Sequence, residues 1–243
     1  MISIQEKERI LKCLQSGEIT VEGRFMWGSN YTFLCQVQND DHHLQAVYKP
    51  TRGERPLWDF PSESLAGREV AAYLVSEAGG WEMVPPTVLR EDGPAGAGSF
   101  QFFIDHDPER HYFNFTEKEK ERLRPVALFD VIINNTDRKG GHVIFDPEEH
   151  IWLIDHGVCF HIEPKLRTVV WDFAGQHIPA ELIQQMVSLK EKLSPDHKTH
   201  EQLCRYLDPD EIRAMIARID GLLKAAVFPQ PSHRRYSYPW PPV

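Results

Sequence analysis

Residues 130–157 read Asp130-Val131-Ile132-Ile133-Asn134-Asn135-Thr136-Asp137-Arg138-Lys139-Gly140-Gly141-His142-Val143-Ile144-Phe145-Asp146-Pro147-Glu148-Glu149-His150-Ile151-Trp152-Leu153-Ile154-Asp155-His156-Gly157. An apolar run ends in the polar Asn134 to Arg138, and Gly140-Gly141 turns the chain into His142-Val143-Ile144-Phe145, strand-like residues closed by the turn-forming Asp146-Pro147. A second apolar run, Ile151 to Ile154, delivers Asp155 directly before His156-Gly157. The pattern predicts a hairpin with carboxylates at its opposite ends, Asp137 and Asp155, which folding back can bring to one site.

Phosphoryl transfer from a nucleotide needs such a pair. One carboxylate orients or deprotonates the attacking group, and the other holds the magnesium that bridges the β- and γ-phosphates. A lone Asp in a turn more often just caps it. The kinase reading therefore rests on the loop, the spacing and Ile154-Asp155-His156-Gly157 together.

Asn135-Thr136-Asp137-Arg138 followed by Leu153-Ile154-Asp155-His156-Gly157 resembles the catalytic and metal-binding motifs of the phosphatidylinositol 3-/4-kinase superfamily, and of type II phosphatidylinositol 4-kinases most closely. Those enzymes carry Asn-Thr-Asp-Arg, an Asn a few residues later, and then Ile-Asp-Asn-Gly or Asp-Phe-Gly. The whole chain also resembles a family of small bacterial proteins with this kinase-like core, in which the pattern of Lys49 to Pro61 and that of Asp137 to His142 recur. This second resemblance identifies a family without supplying a substrate.

The resemblance implies a two-lobed, kinase-like α+β fold. Residues 1–107 would form an N-lobe of β-sheet with one helix, residues 108–243 a mainly helical C-lobe, and ATP would lie between them. Residue by residue, it implies that Asp137 is the catalytic Asp, Asp155 the principal magnesium ligand, Lys49 the phosphate-binding Lys and Glu69 its partner. One position departs from the family: His142 stands where a second metal-binding Asn is expected. Magnesium prefers oxygen ligands, so His142 either serves as a metal ligand and moves the preference toward manganese, or bonds the backbone and supports the loop. In type II phosphatidylinositol 4-kinases a similar Lys-Pro precedes a cysteine-rich insertion that carries lipid anchors. Residues 51–61 contain no Cys, so membrane attachment does not come with the resemblance.

The rest of the chain is ordered compatibly. Ile10, Leu11 and Leu14 predict a short amphipathic helix ending near Ser16-Gly17. Strands are expected from Ile19 to Met26 and from Tyr31 to Val37, and the turn between them contains Ser29, which either donates to the nucleotide phosphates or belongs to an ordinary hairpin turn. Leu44 to Tyr48 forms a third strand ending in Lys49, where kinases hold a phosphate-pairing ammonium. Ser62 is the cap candidate for a helix to Ala78, whose Glu69 sits at the edge of the apolar stripe and wants a cation, unless it is simply solvated.

Further strands are expected over Met83 to Leu89 and Ser99 to Ile104, and the backbone of Phe103 and Ile104 would contact the adenine at the hinge. Thr116 and Glu119 form a capping box, Pro125 opens a helix into the catalytic loop, and two more helices are expected over Pro179 to Leu193 and from Asp208 onward. The tail from Phe228 to Val243, rich in Pro and aromatic residues, is expected to lie extended along the body.

A formal net charge of −9 disfavours nucleic acid as a partner. The first residues lack the apolar core of a signal peptide and no stretch approaches a membrane span, which predicts a cytoplasmic protein without integral membrane association. Cys13, Cys35, Cys159 and Cys204 form no Cys-x-x-Cys pair and are expected to be reduced and packed. The function read from the sequence is an ATP-dependent kinase using magnesium or manganese, with a lipid, protein or small-molecule acceptor. Its rivals are a nucleotide-binding pseudokinase, which His142 favours, and a HipA-like protein Ser/Thr kinase, whose Asn-Thr-Asp loop is similar.

Overall fold

The computed structural model describes residues 2–25, 31–40, 42–232 and 236–243. Helix α1 (Ile4–Ser16) begins where the Ser3 hydroxyl accepts from the Glu6 N–H, and it buries Ile10, Cys13 and Leu14. Beyond it β1 (Glu18–Arg24), β2 (Phe33–Gln38), β3 (His43–Pro50), β4 (Thr87–Arg90) and β5 (Gly98–Phe102) form an antiparallel sheet in the order β1-β2-β3-β5-β4. Alternation along β3 decides the function of each face. Leu44, Ala46 and Tyr48 enter the core shared with α1, and the period of two leaves Val47 and Lys49 on the other face, toward the second half of the chain.

Helix α2 (Leu65–Gly79) ends at Gly80, whose φ of +72° suits a residue without a side chain. Its start differs from expectation. The helix opens after Ser64, not Ser62, and the Ser64 hydroxyl makes no capping bond; the Glu54 carboxylate, from the loop over residues 51–61, accepts from the N–H groups of Leu65 and Ala66 instead, at 3.3 and 2.9 Å. The strand expected from Met83 begins only at Thr87. Pro85 and Pro86 remove ladder donors, and the Met83 and Val84 N–H groups go to the Ser76 hydroxyl.

The second half contains α3 (Glu117–Glu121), α4 (Arg124–Ile133), the hairpin of β6 (Val143–Phe145) and β7 (Ile151–Leu153), α5 (Ala180–Lys192), α6 (Lys198–Leu203) and α7 (Pro209–Ala225). Helix α6 is absent from the sequence-based expectation because it is short, polar and buries only Leu203. Cys204, at its C-cap, is exposed and not packed as expected, while Cys13, Cys35 and Cys159 are buried, and all four are free thiols. The main core joins α4, α5 and α7 to Ala71, Ala72 and Val75 of α2, so that helix is embedded in the same apolar cluster as the helical half. The tail is tied to the body by the Ser237 carbonyl, which accepts from the Thr168 N–H, and by that of Pro242, which accepts from the Gly140 N–H. Among the described residues no helix is long and apolar enough to cross a membrane.

Candidate active site

Helix α4 stops at Asn134, held at φ +53°, whose amide donates to the carbonyls of His161 and Glu163. The next two polar residues each make a bond to the backbone. Asn135 Oδ1 accepts from the Asp137 N–H at 2.9 Å, and the Thr136 hydroxyl donates to the Val158 carbonyl at 2.7 Å. This order leaves the Asp137 carboxylate as the group the loop presents, 36% exposed and 3.6 Å from Lys139 Nζ. Burial pushes its pKa up to about 6; Lys139 opposes the rise and the charge of Asp155 adds to it.

Arg138 is wholly buried and holds the site together. Its guanidinium pairs with Asp130 at 3.0 Å, donates to the carbonyls of Ile154 and His142, and donates to His156 Nε2 at 2.8 Å. Burial, reinforced by the Arg138 charge, keeps His156 neutral. Asp130 accepts in addition from Asn135 and the Thr168 hydroxyl, so a charge inside an apolar helix is fully compensated. Residue-by-residue reading overlooked this pair. An Asp alone in Val126-Ala127-Leu128-Phe129-Asp130-Val131-Ile132-Ile133 is the signal that could have found it, because such a carboxylate requires a partner.

At the far end of the hairpin Asp155 takes φ +63°, a costly backbone region for a residue with a side chain. Its carboxylate receives Lys49 Nζ at 3.0 Å, and the same ammonium lies 2.5 Å from Glu69 Oε1. The other Glu69 oxygen accepts the His156 N–H at 2.9 Å, which ties α2 to the chain after β7. Gly157 permits this approach, since a Cβ there would lie 3.3 Å from Leu65 Cβ. The Lys49 charge holds Asp155 far below the usual carboxylate range. Burial pulls Lys49 down, but Asp155 and Glu69 outweigh it and the ammonium is held above its ordinary pKa.

His142 turns its ring toward the same place, with Nε2 3.4 Å from Asp155 Oδ2, and burial lowers it to about 4. Its Nδ1 accepts from the Lys139 N–H at 3.4 Å, so the neutral ring carries its proton on Nε2, facing the carboxylate. A cleft of about 500 Å³ opens beside these groups, with Val47, Phe102, Ile104, Ile144 and Ile154 as apolar wall and Lys49, His142 and Asp155 as polar end. Phe103 also lines it, but its N–H is bonded to the Gln45 carbonyl, and the Ile104 carbonyl accepts from His106 Nδ1. The cleft therefore unites Lys49, Phe103, Ile104, His142 and Asp155, with Glu69 behind Lys49. Ser29 lies outside the described residues.

Among the described residues no cluster of three or more His, Cys, Asp or Glu side chains could enclose a metal by itself. One ionised carboxylate beside an imidazole fits an ion that completes its shell with phosphate oxygens and water. Chemically the arrangement offers a fixed ammonium for an anion, an ionised carboxylate for a cation, an apolar slot for a flat ring and a carboxylate near neutrality for a proton.

Residues 62–208 match the family model for phosphatidylinositol 3- and 4-kinase. Protein Rv2133c of Mycobacterium tuberculosis is 39% identical over an alignment of 263 positions, covering 94% of this chain and 93% of that one. Phosphatidylinositol 4-kinase gamma 7 of Arabidopsis thaliana is 27% identical over 153 positions, 50% of this chain and 23% of its own length. Among solved structures, hydra Fam20 with sugar superposes with a TM-score of 0.59 at 14% identity, covering 93% of this chain and 89% of that one. The Golgi casein kinase with Mn/ADP bound superposes with a TM-score of 0.57 at 15% identity, covering 99% and 81%. The sheet, the helical half and the cleft between them are thus a kinase-like α+β fold.

Proposed function

Because this chain belongs to the phosphatidylinositol 3- and 4-kinase family, we propose that it is an ATP-dependent phosphotransferase working in the cleft whose polar end is formed by Lys49 and Asp155. The observation that carries this is the convergence of Lys49 Nζ on Glu69 and Asp155, at 2.5 and 3.0 Å, at the polar end of an otherwise apolar slot. The slot suits a purine, with the backbone of Phe103 and Ile104 along its edge. Lys49 binds phosphate oxygens, and Glu69, itself held by the His156 N–H, positions Lys49.

Asp155 and His142 would hold magnesium or manganese. When bound, the ion supplies positive charge to the β- and γ-phosphates. Asp137 orients the acceptor hydroxyl and takes its proton, a role suited to a carboxylate raised to about 6. A catalytically silent nucleotide-binding module is the second reading. His142 favours it, because the proton facing Asp155 leaves its Nε2 without a free lone pair in the absence of a metal.

Thermal melting with ATP and either ion, alongside ADP release, tests both. A ligand at a hundredfold excess over its Kd stabilises by about 2.7 kcal/mol. Wild type and Asp137→Asn are expected to show the nucleotide-dependent rise in Tm, Asp155→Asn to lose it, and only wild type to transfer phosphate. A wild-type Tm that ignores millimolar nucleotide with either ion overturns the kinase reading; a rise without any transfer selects the silent module.

A further inference from the structure

A second cavity, of about 560 Å³, lies where the loop over residues 51–61, the segment after Asp155 and the C-terminal tail meet, and Trp58, Lys165, Arg167, Trp171, Gln230 and Tyr236 are among its walls. Asp137 is not on its wall, but the backbone of one wall residue, Arg167, is bonded to the loop that presents Asp137. The Arg167 N–H donates to the Asn135 carbonyl at 2.8 Å and its own carbonyl accepts from the Arg138 N–H at 3.0 Å, so Arg167 is fastened to the residues on either side of Asp137. Its charge is felt there, opposing the rise in the Asp137 pKa.

Among the described residues the cavity has two cations, and they differ in availability. Lys165 is neutralised by Asp59 at 2.6 Å and lies 4.8 Å over the Trp58 ring. Arg167 is exposed and, among the described residues, has no side-chain hydrogen bond or ion pair. A guanidinium fork without such a partner, on a residue bonded through its backbone to the Asp137 loop, is a receptor for phosphate or carboxylate. The walls add a second requirement. Trp58 is 93% exposed and Tyr236 87%, so broad apolar faces are held in water rather than buried. Trp171 is fixed by donation from Nε1 to the Ser237 carbonyl at 3.1 Å. Flat aromatic faces interleaved with amide and hydroxyl groups suit a ring with one C–H face and a polar rim, which is the shape of a sugar or cyclic polyol.

The volume falls in the range of small-molecule sites. A net charge of −9, with Asp59 and Glu163 also on the cavity wall, opposes docking onto an anionic membrane. We propose that this cavity is the acceptor site and takes a soluble sugar or polyol bearing a phosphate or carboxylate, its ring on Trp58 and Tyr236 and its anion on Arg167. The proposal rests on the kinase reading. In the step it implies, the acceptor hydroxyl oxygen forms a bond to the γ-phosphorus of ATP, the bond from that phosphorus to the β–γ bridging oxygen breaks, ADP leaves, and the hydroxyl proton passes to Asp137.

The test uses the full chain with ATP and magnesium or manganese. ADP release is measured with glucose phosphate, glucuronate, glucose, dephosphorylated casein, and phosphatidylinositol vesicles in phosphatidylcholine. An anionic sugar is expected to stimulate release, with glucose at least roughly tenfold poorer in kcat/KM, the loss expected for a charge-assisted bond. Arg167→Gln should raise KM for the anionic sugar by a similar factor and erase its advantage over glucose. Trp58→Ala, a change at a side chain 93% exposed, should raise KM for both. Stimulation by casein or vesicles alone, or by no sugar while nucleotide still raises Tm, overturns the proposal and leaves the kinase reading standing. No nucleotide-dependent rise in Tm overturns the kinase reading itself.

Discussion

Asp137 illustrates how one side chain's environment sets both chemistry and stability. With its pKa raised by burial to about 6, the free protein holds the carboxylate ionised at neutral pH but close to the point of accepting a proton. His142, lowered to about 4, stays uncharged across the same window and contributes no step to it. The kcat/KM of transfer is therefore expected to rise with pH through about 6 and level off above it. The linkage has the opposite sign. A carboxylate whose folded pKa lies above its ordinary 3.8 stabilises the fold fully only below that ordinary value, and the contribution is lost as pH rises through about 6. Asp137→Asn should accordingly abolish transfer yet raise Tm at neutral pH, with the gain shrinking as the medium is acidified. A variant that melts lower than wild type at neutral pH would show that Asp137 is held by contacts worth more than its burial costs.

At the scale of elements, the loop that presents Asp137 is held less by its own turn chemistry than by one charged pair. Arg138 reaches across from the loop to the carbonyls of His142 and Ile154, at the ends of the β6–β7 hairpin, and to His156, while Asp130 anchors it to α4. All of this lies in the interior, where an uncompensated guanidinium is far more costly than in water. Asp130→Ala is expected to cost about 3–5 kcal/mol, the range for breaking a buried pair by removing one partner. Urea unfolding with an unchanged m-value would measure it. A loss below about 1 kcal/mol would mean that the remaining acceptors of Arg138 suffice.

For the whole molecule, α2 decides how the halves communicate. Its Arg68 donates to Glu211 of α7 at 2.6 Å and to the Cys159 carbonyl at 2.7 Å, and its next residue is Glu69, which positions Lys49. Phe60 of the 51–61 loop lies against the Arg68 guanidinium, 4.9 Å away, and Asp59 holds Lys165 after the hairpin. A helix that begins in the sheet half is thereby seated on the helical half. Glu211→Gln is expected to lower stability and also to reduce the nucleotide-dependent rise in Tm, although Glu211 lines neither cavity. Equal nucleotide-dependent shifts in wild type and variant would show that Glu69 keeps its place without this anchor.

The sequence by itself determined what depends on neighbours along the chain. Alternation in His43–Pro50 puts Lys49 on the face opposite the core, the apolar spacing of Arg124–Ile133 delivers the loop that carries Asp137, and the turn residues around Asp146-Pro147 fold the chain into the hairpin that ends at Asp155. Periods of two and of about 3.6 residues suffice for those positions. Tertiary structure decided whatever depends on residues far apart in sequence. The cap of α2 comes from Glu54 rather than Ser62, Met83 and Val84 bond Ser76 instead of joining a strand, and Arg138 finds its partner on α4. Arg167 and Tyr236 line one cavity only because the segment after Asp155 folds against the tail. A hydrogen-bond donor or a charge takes whichever partner packing delivers, and packing is a property of the closed chain that local periodicity does not encode.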